Sequence, residues 1–89
     1  MGGVIALVLV PQIVLAQTID GGTAETVSGV GGGTQPSPWN TGSNLNVGYN
    51  NKGTLIIEAG GSVSNNFGYI GFNAGSTGSA TVTGNGSTW

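Results

Sequence analysis

Asp20, Glu25, Glu58 and Lys52 are the only charged side chains in the 89 residues, and the chain has no His, Arg or Cys. Cleavage of a glycoside by a carboxylate pair would have to draw on those three acids. Two of them, Asp20 and Glu25, fall in a Gly-rich stretch ahead of the main pattern, which favours solvated surface groups over a catalytic pair. Nucleophilic hydrolysis needs a base beside a Ser or Thr, and without His and with a single Lys no triad can be assembled. No Ser stands in G-x-S-x-G. The Gly29 to Gly33 run is neither G-x-G-x-x-G nor a phosphate-binding loop, and Asp20-Gly21-Gly22 lacks the order of a calcium-binding nonapeptide. Thiolate metal sites and disulfides are excluded by the absence of Cys. The expectation is no catalytic, cofactor-binding or metal-ligating residue.

Aromatic stacking is the chemistry the composition does allow. Trp39, Tyr49, Phe67, Tyr69, Phe72 and Trp89 supply six rings. An exposed set built from Tyr49, Tyr69 and Phe72 would stack on sugar rings; the same rings would otherwise fill or cap the ends of a core. Nucleic acid is excluded as a partner, because counterion release needs several Lys or Arg and Lys52 stands alone. Asn85-Gly86-Ser87 fits a glycosylation sequon and is read as a turn.

The elements that must hold these residues are written twice. Residues 45–63 (LNVGYNNKGTLIIEAGGSV) and 68–89 (GYIGFNAGSTGSATVTGNGSTW) share one pattern. Val47-Gly48-Tyr49-Asn50 aligns with Ile70-Gly71-Phe72-Asn73 at an offset of 23, and after a two-residue slip Gly61-Ser62 aligns with Gly86-Ser87 at 25. Period-two alternation puts Leu55, Ile57, Ala80 and Val82 on one face of short strands. Gly and Asn at 50–53, 59–61, 65–66, 73–75 and 84–86 suit sharp corners, where positive φ is needed. A lap of 23 to 25 residues fits a parallel coil, with Leu55 over Ala80, Ile57 over Val82 and Asn corners stacking as amide ladders. The fold class expected is therefore all-β: a right-handed parallel β-helix (solenoid) fragment of about two laps. An antiparallel meander or sandwich and a largely unfolded fragment are the competing readings.

The remaining segments divide simply. Residues 1–16 read as a signal peptide, with an apolar Val4 to Val10, a second apolar run Ile13 to Ala16 and a cut between Ala16 and Gln17. As a helix Val4 to Ala16 would span only about 20 Å, short of the ~30 Å a transmembrane segment needs. A missing basic stretch before Val4 suggests that the true start lies upstream. Residues 17–38 read as a Gly/Pro-rich lead-in that adds a partial rung, with short strands at Thr18-Ile19 and Glu25-Thr26-Val27 and a linker from Val30 to Pro38. Residues 39–89 form the repeat unit. Charged residues make up 4% of the chain, against roughly 25% in an ordinary soluble domain. With 37% hydrophobic residues and a net charge of −2, the composition is not that of a charge-driven disordered chain.

From Leu45 to Trp89 the order of motifs resembles the Gly-rich repeat of autotransporter (type V secretion) passengers and PEP-CTERM surface proteins of Gram-negative bacteria. The residues that carry the resemblance are Val47-Gly48-Tyr49 and Ile70-Gly71-Phe72, the G-T-L-x-I strand from Gly53 to Ile57, GGSVSNN at 60–66 and G-x-G-S-T-W at 84–89. Trp39 sits 50 residues before Trp89, where an earlier copy would end. The resemblance implies a structural, surface-exposed or secreted passenger segment, exported to the cell surface, outer membrane or medium, with roles in adhesion, aggregation or biofilm. Its implied partners are neighbouring repeats of a longer chain and a polysaccharide or host surface. A carbohydrate-binding surface module, or a PEP-CTERM-sorted matrix protein, is the alternative. The family's translocating barrel and sorting tail are not in this sequence, so an N-terminal fragment of a longer reading frame is expected.

Overall fold

A computed structural model of the chain describes residues 16–89. The expected signal segment lies outside the described residues except for Ala16, and the first strand among the described residues is Gln17–Ile19. The strands are β1 (Gln17–Ile19), β2 (Glu25–Ser28), β3 (Trp39–Asn40), β4 (Leu45–Val47), β5 (Lys52–Glu58), β6 (Val63–Ser64), β7 (Gly68–Ile70) and β8 (Thr77–Val82). There is no helix among the described residues.

Three sheets hold these strands, in the orders β1-β4-β7, β2-β5-β8 and β3-β6. Every pairing between these strands is parallel. The chain thus visits the sheets in the same order on each pass, and each strand lies on its counterpart from the pass before. An antiparallel meander is ruled out by these directions. The registers expected from the repeat are present: Leu55 pairs with Ala80, Ile57 with Val82 and Val47 with Ile70.

Alternation explains the core. Along β5, Gly53, Leu55 and Ile57 are buried while Thr54, Ile56 and Glu58 face outward. Because parallel register puts equivalent residues about 4.8 Å apart, inward side chains form columns: Ile19-Val47-Ile70, Val27-Ile57-Val82 and Trp39-Val63. Val27, Leu45, Val47, Leu55 and Ile57 are fully buried, each worth roughly 1.5–3 kcal/mol of transfer free energy. The middle pass is covered on both sides. The last is open, and its column members Ile70 and Val82 are 53% and 45% exposed.

Two sequence expectations need correction. The fold is three strands deep in two of its sheets, not about two laps, because residues 17–40 pair strand for strand with 45–64. The offset there widens to 28 in the first sheet and 30 in the second, which is why the early copy is hard to see. The second correction concerns Ser62, which bridges Thr88 at a separation of 26, one residue beyond the expected partner. The turn closed by Gly61 N donating to Glu58 O recurs one residue late, as Ser87 N donating to Gly84 O; since Ile57 pairs with Val82, the added residue is Thr83, just before the turn.

The segment expected to be a linker folds back. Gln35 forms a parallel bridge with Val27 on the outer side of β2, with Gln35 N donating to Thr26 O at 3.0 Å. Thr34 Oγ1 accepts from Thr26 N at 2.7 Å and donates to Glu25 Oε1 at 2.9 Å, and Gln35 Nε2 donates to the same oxygen at 3.0 Å. This covers the first edge of the middle sheet, which would otherwise offer unpaired backbone groups.

Candidate functional site

The corner between the first and second sheets gathers most of the residues the sequence singled out. Each pass turns there after β1, β4 or β7. Gly48 (φ 79) and Gly71 (φ 69) start the turn in the second and third passes, a left-handed conformation that costs a side-chain-bearing residue about 1 kcal/mol. The turns lock together through the backbone, with Gly71 N donating to Val47 O, Phe72 N to Gly48 O and Asn73 N to Tyr49 O at 2.9–3.1 Å.

Side chains follow the same stacking. Asn73 Nδ2 donates to Asn50 Oδ1 at 2.6 Å, the expected amide ladder. The rings of Tyr49 and Phe72 lie face to face, centroids 5.1 Å apart and 8° from parallel. Tyr69 meets Phe72 edge-on at 4.9 Å and 80°. Phe72 is 47% and Tyr69 36% exposed, while Tyr49 is half-buried beneath Phe72. Such pairs contribute about 0.5–1.5 kcal/mol beyond the area they bury. Of the other rings, Trp39 is in the core, Phe67 projects into solvent, and Trp89 lies over Gly68 with its Nε1 donating to Asn65 Oδ1.

Asp20 is the residue sequence reasoning undervalued. It occupies the corner of the first pass, and its carboxylate accepts from Tyr49 N at 2.6 Å, Asn50 N at 3.2 Å and Asn51 N at 3.3 Å. The side chain thus does for the second-pass corner what backbone carbonyls of the second pass do for the third. Its signal was the alignment of Ile19-Asp20 with Val47-Gly48, hidden by the wider offset of the first pass. Desolvation alone would raise the Asp20 pKa, but the hydrogen bonds from Tyr49, Asn50 and Asn51 outweigh it and hold the carboxyl below its ordinary 3.8.

A depressed carboxylate contributes stability that is fully present above its unfolded pKa and lost as pH falls through the folded one. Urea midpoints should therefore drop as the pH is lowered below the ordinary carboxylate value of 3.8. Asp20→Asn should lower the midpoint at neutral pH and flatten that acid dependence; parallel pH profiles for the two proteins would show that the cradle contributes nothing.

The three carboxylates are not brought together. Asp20 is committed to the corner and Glu25 to Thr34 and Gln35. Glu58 pairs in register with Ser28, three residues along β2 from Glu25, or about 10 Å on the strand rise. No group of three or more acids suited to a metal exists among the described residues. A depression of about 450 Å³, lined by Val63, Ser64, Asn65, Gly68 and Trp89, opens at the third-pass end and holds no titratable side chain.

Parallel sheets and a ladder-built corner define an all-β protein whose conspicuous surface feature is stacked aromatic and amide side chains. Comparison with protein-family models, with curated proteins and with solved structures gave no match in any of the three.

Proposed function

We propose that the chain is a right-handed parallel β-helical segment of an autotransporter-like passenger or related sorted surface protein, exported from a Gram-negative cell, whose work is to extend a structure and present surface for adhesion or biofilm contact. The observation that carries this reading is the in-register stacking of equivalent residues from one pass to the next, from the interior column Val27-Ile57-Val82 to the exterior pairs Tyr49-Phe72 and Asn50-Asn73. Right-handed winding follows from the strong preference of parallel crossover connections for that hand. Export is supported by the apolar leader, with its runs Val4 to Val10 and Ile13 to Ala16. Fractionation of cells producing the chain tests it: the product should begin at Gln17 and be accessible to protease added outside the cell, and an uncut product confined to the cytoplasm would refute export.

A second reading, a carbohydrate-binding surface, rests on the exposure of Phe72 and Tyr69. Against it, Phe72 covers one face of Tyr49, so the rings spend part of their stacking surface on each other. The structural reading expects Tyr49→Ala to leave retention on a polysaccharide panel unchanged while lowering thermal stability. Loss of retention of about tenfold or more, the ~1–2 kcal/mol scale of one aromatic contact, would favour the sugar reading instead.

A further inference from the structure

We propose that Asn85 is the site at which the folded chain deamidates, through a succinimide ring closed onto the backbone nitrogen of Gly86, while the fold shields the comparable Asp20-Gly21 step. In this reaction Gly86 N attacks Asn85 Cγ, the new N–Cγ bond replaces the Cγ–Nδ2 bond, and the side-chain nitrogen leaves as ammonia. Water then opens the ring at either carbonyl, giving aspartate or isoaspartate and one negative charge beyond the original net −2. Water is the sole co-reactant.

The corner meets each requirement of that chemistry. Gly84 O accepts from Ser87 N at 3.2 Å, which puts Asn85 and Gly86 at the two central positions of a turn. Gly86 has φ 80, and a turn with positive φ at its third position selects Gly. The attacking nitrogen thus has no side chain of its own residue to screen it, and it donates no hydrogen bond to a described residue. The Asn85 amide is likewise unbonded among the described residues, and Asn85 is exposed. That exposure belongs to the corner: Ala59 holds the same place in the turn closed by Gly61 N and Glu58 O, has the backbone of Gly29 on one side and of Gly84 on the other, and is exposed too.

Every other Asn is tied or screened. Asn40, Asn44, Asn50, Asn65 and Asn73 each make a side-chain hydrogen bond. Asn46, Asn51 and Asn66 precede Val47, Lys52 and Phe67, whose side chains crowd the nitrogen that would attack. Asp20-Gly21 is the one other acid or amide followed by Gly, and its side chain is held: one carboxylate oxygen accepts from Tyr49 N and Asn51 N and the other from Asn50 N, so it does not swing onto Gly21 N while the first two passes are stacked.

Incubation of the full chain in warm neutral buffer, read by peptide mass spectrometry with fragmentation that separates isoaspartate from aspartate, tests the assignment. Deamidation should appear first at Asn85, with isoaspartate among the products, at a rate within about threefold of that in guanidinium chloride. Isoaspartate at Asp20 should form at least about tenfold faster in guanidinium chloride than in the folded chain. Asn85→Gln keeps an amide at the corner but needs a larger ring, and should slow the appearance of the more acidic species on isoelectric focusing at least about tenfold. Earlier deamidation at another Asn, aspartate without isoaspartate at residue 85, protection of Asn85 by the fold of about tenfold or more, or isoaspartate at Asp20 forming equally fast in both states would overturn the proposal.

Discussion

Gly53→Ala is expected to destabilise the fold by about 3 kcal/mol, although one methyl group is all it adds. Gly53 opens β5 against the corner where Gly48 N donates to Ile19 O at 2.9 Å. A Cβ on Gly53 would fall well inside van der Waals distance of both those backbone atoms. The geometry recurs one pass later, where Gly78, the register partner of Gly53, faces the Gly71 N to Val47 O bond in the same way. Neither glycine is at positive φ, so space is what requires it. The control is Gly75→Ala: Gly75 has φ 85 and a methyl group added there would meet no atom within 4 Å, so the cost should be the left-handed penalty alone, about 1 kcal/mol. Urea titration of the three proteins should show Gly53→Ala with by far the lowest midpoint. Equal midpoints for the two variants would mean that the corner is looser than the backbone contacts require.

Leu55→Ala should cost about 3 kcal/mol, within the range for deleting a buried aliphatic side chain. Leu55 is fully buried in the middle strand of its sheet and packs with Leu45, Val47 and Ile57 in the one core. Val82→Ala, at the open end, should cost under about 1 kcal/mol, because the side chain is 45% exposed and leaves little cavity. Chemical denaturation followed by circular dichroism measures both. A similar loss for the two would contradict a core that is closed in its middle pass and open at its last.

The second and third passes were legible in the sequence for a physical reason. In-register stacking requires equivalent residues to repeat, so Leu55 over Ala80, Ile57 over Val82 and the Asn50-Asn73 ladder could be written down from an offset alone. The first pass was harder. Its fold-back loop around Gly32 to Gln35 spoils a constant period, and Asp20 stands where the later passes use Gly48 and Gly71. A carboxylate that satisfies corner N–H groups is not an apolar signal, so a search for periodic hydrophobicity passes over it. The aromatics split along the same line: Trp39 entered the core column over Val63, while Tyr49 and Phe72 stacked outside a corner. Alternation assigns faces within a strand and is silent about turns.

The direction and register of the strands carry the whole account, and methyl NOEs measure both. Cross-peaks linking Leu55 to Ala80, Ile57 to Val82 and Val27 to Ile57 are predicted, with methyl groups of neighbouring passes about 5 Å apart. Cross-peaks linking Leu55 to Val82 and Ile57 to Ala80 instead would mean that β5 and β8 run in opposite directions, and the parallel arrangement would be wrong.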